Sequence, residues 1–94
     1  MGGRKKQWVE HGQIRRLGDL KPHPRNSRVH TPEQIDMIAA SMGEWDFTMP
    51  ILVDDEDTIL AGHGRQLAGI KKFGAQKDVP VAIAHGWTEE MKRA

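Results

Sequence analysis

The stretch Ile59-Leu60-Ala61-Gly62-His63-Gly64-Arg65-Gln66-Leu67-Ala68 constrains this chain more than any other. A short β-favouring run enters a Gly-x-Gly turn, an arginine follows at once, and a helix-type pattern begins behind it. Strand and helix therefore succeed each other with almost no loop between them. Two glycines free the backbone to curl, so successive N–H groups can point into one concavity. The helix N-terminus adds a partial positive charge and Arg65 a full one, which together suit a phosphate group.

The rest of the chain leaves room for one domain. Ninety-four residues bury only about 60–65% of the surface exposed by the unfolded chain. Charged residues at 29% and hydrophobic ones at 37% fit a globular domain rather than a disordered tail. No apolar run reaches the length of a membrane span, and the basic start Arg4-Lys5-Lys6 leads into no signal-type stretch, so the expected compartment is the cytoplasm. Zero cysteines exclude disulfides, thiolate zinc sites and thiol catalysis together. The net charge of +1 hides an asymmetry. Residues 1–28 hold eight bases against two acids, a balance of +6, and the remainder is at −5. The N-terminal third is thus the part expected to face an anion; Arg4 to Lys6 read better as a solvated tail, whereas a tail is the less natural explanation for Arg25 and Arg28 between Pro24 and Pro32.

Punctuation gives the element order. Residues 1–12 read as a basic tail and 13–94 as the domain. Gln13 to Leu17 reads as a short strand, and the prolines of Lys21-Pro22-His23-Pro24 force an extended path after it. At Thr31-Pro32-Glu33-Gln34 a helix opens, with Thr31 as cap, Pro32 in the first turn and Gln34 closing a capping box. Ile35, Ile38, Ala39 and Met42 form its buried face, and Gly43 ends it. Pro50 to Val53, the acidic turn Asp54-Asp55-Glu56-Asp57 and Thr58 to Ala61 read as a hairpin. Leu67, Ile70 and Phe73 line a second helix from about Arg65 to Gly74. Val79 to Ala84 is a last strand, whose Pro80 suits an edge or a strand start. Thr88-Glu89-Glu90 caps a third helix that stops at Ala94, which points to a longer parent protein. The fold class expected is α/β (α+β), a small mixed sheet with two or three helices packed on it.

From here the chain resembles the ParB/sulfiredoxin-like superfamily, and within it the ParB N-terminal (ParB-like nuclease) domain. The family's first box has the form apolar-x-Pro-Asn-Pro-x-Gln-x-Arg. Leu20, Pro22, Pro24 and Arg28 match it, with His23 in place of the Asn and Asn26 where the Gln would stand. The second box is Ala-Gly-Glu-Arg-Arg-x-Arg-Ala. Ala61, Gly62, Arg65 and Ala68 match, while His63, Gly64 and Leu67 replace the Glu, the first Arg and the last Arg. Two boxes in order, from about Gln13 to Ala84, form a specific signal. The Gly-His-Gly-Arg version is similar to that of phage and mobile-element proteins, where such a domain often precedes a DNA methyltransferase. Sulfiredoxins carry a catalytic cysteine in this turn, so their chemistry is excluded here.

The resemblance implies phosphate or nucleotide binding by Asn26, Arg28, Gly62, His63, Gly64 and Arg65. The ligand it implies is a nucleoside triphosphate, CTP or ATP, with Mg2+; two missing arginines remove two phosphate contacts from that site. Arg15, Arg16 and Arg25 are the expected DNA contacts, weak and non-specific, with the DNA site itself read by a downstream domain. From residues alone, Gly62 and Gly64 fit an ordinary turn as well as a phosphate cradle. His63 fits a phosphate donor, a base near neutral pH or a plain loop histidine. Consecutive acids at 54–57 point in alternating directions, which favours a solvated turn over a two-metal site. The five histidines show no zinc spacing, so no metal ligand is assigned. Trp45 and Phe47 read as core, and Trp8 and Trp87 as flanking residues.

The function expected is a nucleotide- or phosphate-binding module of a DNA-acting protein, in partition or DNA methylation, and not an enzyme by itself. A nucleotide-dependent phosphotransferase or metal-dependent nuclease on the same fold is the first alternative. An interaction module with a degenerate site is the second.

Overall fold

The computed structural model describes residues 7–23, 31–43 and 49–93, with Arg93 described by its backbone only. Strand β1 (Trp8–Arg16) leads through a single 3-10 turn (Leu17–Asp19) into β2 (Lys21–Pro22). Helix α1 (Pro32–Ser41), the hairpin of β3 (Ile51–Asp54) and β4 (Thr58–Ala61), helix α2 (His63–Phe73), β5 (Asp78–His85) and α3 (Glu89–Arg93) follow. The five strands form one mixed sheet in the order β1-β5-β3-β4-β2. Pairs β1/β5 and β3/β4 are antiparallel, whereas β3/β5 and β2/β4 are parallel. The expected α+β class is the observed one.

Helix α1 forms for the reasons its sequence announces. Thr31 Oγ1 accepts from the Gln34 amide at 3.2 Å, the Gln34 side chain accepts from the Thr31 amide at 3.1 Å, and Pro32 opens the helix. Its apolar face closes on the core, with Met42 buried and Ile35, Ile38 and Ala39 packed around it. That core is Leu17, Leu20, Met42, Ile51, Val53, Ile59, Ala68, Val79, Val81 and Ile83. Burying each large aliphatic side chain in it is worth roughly 1.5–3 kcal/mol.

Four expectations need correction. Strand β1 begins at Trp8 rather than Gln13, so residues 8–12 of the expected tail belong to the sheet. A bulge between Glu10 and Gln13, with Gly12 at φ +88°, interrupts the alternation from which a strand is read. Strand β5 is not an edge, because β1 and β3 flank it. Its Pro80 is tolerated because pairing with β3 starts only at Val81. Helix α2 starts at His63, and its face is turned from the expected Leu67–Ile70–Phe73 line. Leu67 is 43% and Phe73 36% exposed, while Gln66, Ala68 and Gly69 are buried. Trp45 and Phe47 lie outside the described residues. Among those described, no helix is long and apolar enough to cross a membrane.

Candidate functional site where the two motifs meet

The strand-to-helix junction is built on one glycine, not two. Gly62 is the N-cap of α2 with φ +112° and ψ +20°, a left-handed conformation that side chains resist. A Cβ at this position would stand 3.2 Å from Ile51 Cγ2. Gly64 lies inside the helix and keeps negative φ, which corrects its expected role in the turn. The first helical bond runs from the Gln66 amide to the Gly62 carbonyl at 2.9 Å. The N-cap glycine has no side chain with which to cap this end, and its first turn holds no acid. The end thus keeps its positive dipole character.

The first motif comes to meet it. The His23 amide donates to His63 Nε2 at 3.3 Å, so Nε2 is the unprotonated nitrogen of that ring. The His23 side chain is buried at 4% exposure, with its Nε2 3.9 Å from Glu89 Oε1 of α3. The segment leading to His23 is held by Gln66, whose Nε2 donates to the carbonyls of Leu17 and Leu20, each at 2.8 Å. Sequence reasoning missed Gln66. Its acceptors are 49 and 46 positions away, so no local spacing could reveal it. Asn26, Arg28 and Arg25 lie outside the described residues.

Arg65 sits on the same helix turn. Its Nη1 donates to the Met49 carbonyl at 2.7 Å and its Nη2 to the Pro50 carbonyl at 3.1 Å. These carbonyl dipoles offset the cost of a cation in the first turn of a helix, the role expected for a bound anion. Arg65 therefore ties α2 to the entry of β3, whatever else it binds.

The other sequence candidates go separate ways. Arg15 pairs through Nε with Asp57 at 3.2 Å, whereas Arg16 is exposed and reaches Gln76 at 3.1 Å. The acidic turn is not uniformly solvated, because Asp54 is only 4% exposed. Its Oδ1 accepts from the amides of Glu56 and Thr58 at 2.9 and 3.0 Å, and its Oδ2 faces Lys92 Nζ of α3 at 3.3 Å. Burial pushes the Asp54 carboxyl up, but those two amides and Lys92 outweigh it and hold the group below its ordinary value of 3.8. Burial likewise pushes Lys92 down, and Asp54 and Glu89 reverse it, leaving the ammonium above 10.5. Asp57 adopts φ +63° and spends its carboxylate on Arg15. Among the described residues no group of three or more His, Asp or Glu side chains is placed to hold a metal. Trp8 stacks on His85, ring centroids 4.5 Å apart, and His85 Nε2 lies 2.8 Å from Glu10.

No protein-family model matches the chain. It is 35% identical over 79 residues to the ParB-like nuclease domain-containing protein YnaK of Escherichia coli (strain K12), covering 84% of this chain and 88% of that protein. The solved structure of a Pnob8-like ParB-N domain (C2221 form) superposes with a TM-score of 0.65 at 17% identity. That match covers 95% of this chain, which spans 34% of the solved one. The fold is that of a ParB-N domain, and the chain belongs to the ParB-like family.

Proposed function

We propose that this chain is a ParB-like module of a DNA-acting protein that binds the phosphates of a nucleotide at the N-terminus of α2. One observation carries the reading: the His23 amide on His63 joins the Pro22-His23 part of the first motif to a helix start whose N-cap is a glycine. Backbone amides and a positive helix end suit phosphate oxygens, and the resemblance assigns Asn26 and Arg28 to the same ligand. The ligand proposed is CTP or ATP. Mg2+ enters with the phosphates, since that ion is commonly held through phosphate oxygens and few protein carboxylates. Two of the five positions at which this chain departs from the family boxes, His23 and His63, are in contact. A ligand preference unlike that of relatives with Asn and Glu there follows from this. The phage- or methyltransferase-associated type, and service in partition or methylation, belong to the same proposal.

A nuclease draws no support from the acidic turn. Asp54 and Asp57 are engaged by Lys92 and Arg15, in different directions. Titration of the full chain with CTP, ATP, ADP and inorganic phosphate, with and without magnesium, tests the proposal by amide NMR. Saturable shifts at Gly62, His63, Gly64 and Arg65 are expected. Shifts confined to other parts of the chain, or none at millimolar ligand, overturn it.

A further inference from the structure

Six bases follow residue 28, and three of them fall in Lys71-Lys72-Phe73-Gly74-Ala75-Gln76-Lys77, a segment without an acid. The remaining three are Arg65, Lys92 and Arg93; the first two are tied to the interior by Met49, Pro50 and Asp54. At the C-terminal end of α2, Phe73 stands partly exposed between two ammonium groups. Lys72 Nζ lies 5.9 Å and Lys77 Nζ 5.4 Å from its ring centroid. Such cation–π contacts hold the charges at a fixed place on the surface.

The end of β1 is stitched to the same surface. The Leu17 amide donates to the Lys77 carbonyl and the Gly18 amide to the Ala75 carbonyl, both at 2.9 Å. The approach requires glycine, since a Cβ on residue 18 would stand 2.8 Å from Ala75 Cβ. This seam sets the exposed Arg16 beside Gln76 and Lys77. Acids at its margin include Asp19, beside Gly18 in the 3-10 turn, Asp78, which pairs across the strands with Arg16, and Asp36, which is taken by Lys71. Lys72 also donates to the last carbonyls of α1, at Ala39 and Met42, so its charge is anchored from both sides.

We propose that Arg16, Lys72 and Lys77, arranged around Phe73, form a docking face for the phosphate backbone of duplex DNA. Two fixed cations on an acid-free segment, with Arg16 of the adjoining strand beside them, have the charge complementarity that selects a polyanion, and among the described residues no recognition element accompanies them, so binding is independent of base sequence. The inference rests on the reading that the module serves a DNA-acting protein, but not on the nucleotide site, which lies at the other end of α2. It also relocates the DNA contact. Arg15, expected as a partner of Arg16, is committed to Asp57.

The test is fluorescence anisotropy of a short labelled duplex with the full chain at several salt concentrations. Three phosphate contacts give a slope of log K against log salt of about −3. Lys77→Glu and Arg16→Glu, each checked for an unchanged melting temperature, are expected to weaken binding at least about fivefold. Each also makes the slope shallower by about 1. Lys21→Glu, on the opposite edge strand, is expected to leave both unchanged. Binding lost through alanine at Arg4, Lys5 and Lys6 but retained in Lys77→Glu overturns the proposal in favour of the N-terminal segment. Equal competition by polyglutamate overturns it in favour of an acidic protein. Loss of the nucleotide shifts at Gly62–Arg65 with intact DNA binding would sink the nucleotide reading alone.

Discussion

The acidic turn and the glycine junction sit ten residues apart or less, and they use their polar groups in opposite ways. At the turn, the fold satisfies its own charge: Asp54 is buried, accepts from two amides of its loop and faces Lys92 across from α3. At the junction, the N-cap is a glycine with no side chain to offer, and the helix end is left positive. A carboxylate satisfied from within is part of the scaffold. An uncapped helix start is a place where a ligand can supply what the chain does not. The difference teaches that four consecutive acids need not signal chemistry, whereas a single glycine at a helix start can open a place for a ligand.

The largest expected effect is on the scaffold side. Asp54→Ala removes the acceptor of two turn amides and leaves Lys92 with the exposed Glu89 alone of its two carboxylate partners, and is expected to cost about 3 kcal/mol in urea denaturation at neutral pH. The same carboxylate sets an acid dependence. Its folded-state pKa lies below 3.8, so its contribution is present above that value and is lost as pH falls through the folded pKa. Wild type should lose stability in that acid range more steeply than Asp54→Ala. Parallel acid profiles for the two proteins would break the comparison.

Next comes the junction backbone. Gly62→Ala forces a side chain to φ +112° and presses Ile51, and should lower stability by roughly 1–3 kcal/mol in thermal melts. Gly64→Ala, inside the helix, should stabilise by about 0.5–1 kcal/mol or be neutral, which separates the two glycines. Smaller again is Arg65→Lys, which keeps the charge but cannot fork across the Met49 and Pro50 carbonyls. A loss of about 1 kcal/mol in stability is expected. Phosphate shifts retained at Gly62 in that variant would assign Arg65 to the scaffold rather than to the ligand. His63→Ala should move stability least, within about 0.5 kcal/mol, and yet weaken the nucleotide-dependent amide shifts. If it left them untouched, the meeting with His23 would have no part in binding.

The outcome for each element follows the range of the forces that made it. The capping box of α1 was legible because Thr31, Pro32 and Gln34 satisfy one another within one turn. The hairpin was legible for the same reason, as was the left-handed glycine before α2. The face of α2 was not. Leu67 and Phe73 were expected inside on periodicity, but the buried side carries Gln66, whose amide completes the 3-10 turn after β1. Strand β1 was read five residues short because the bulge at Gly12 breaks the period-2 pattern.

What the sequence by itself determined is local: the cap that opens α1, the glycine-bearing passage from β4 into α2, and the two motifs that mark the family. Tertiary structure decided which polar groups meet. His23 reaches His63 across 40 positions, Lys92 reaches Asp54 across 38, and Gln66 reaches Leu17 across 49. Buried donors and acceptors must all be paired, and their partners are chosen by the path of the whole chain rather than by neighbours in sequence.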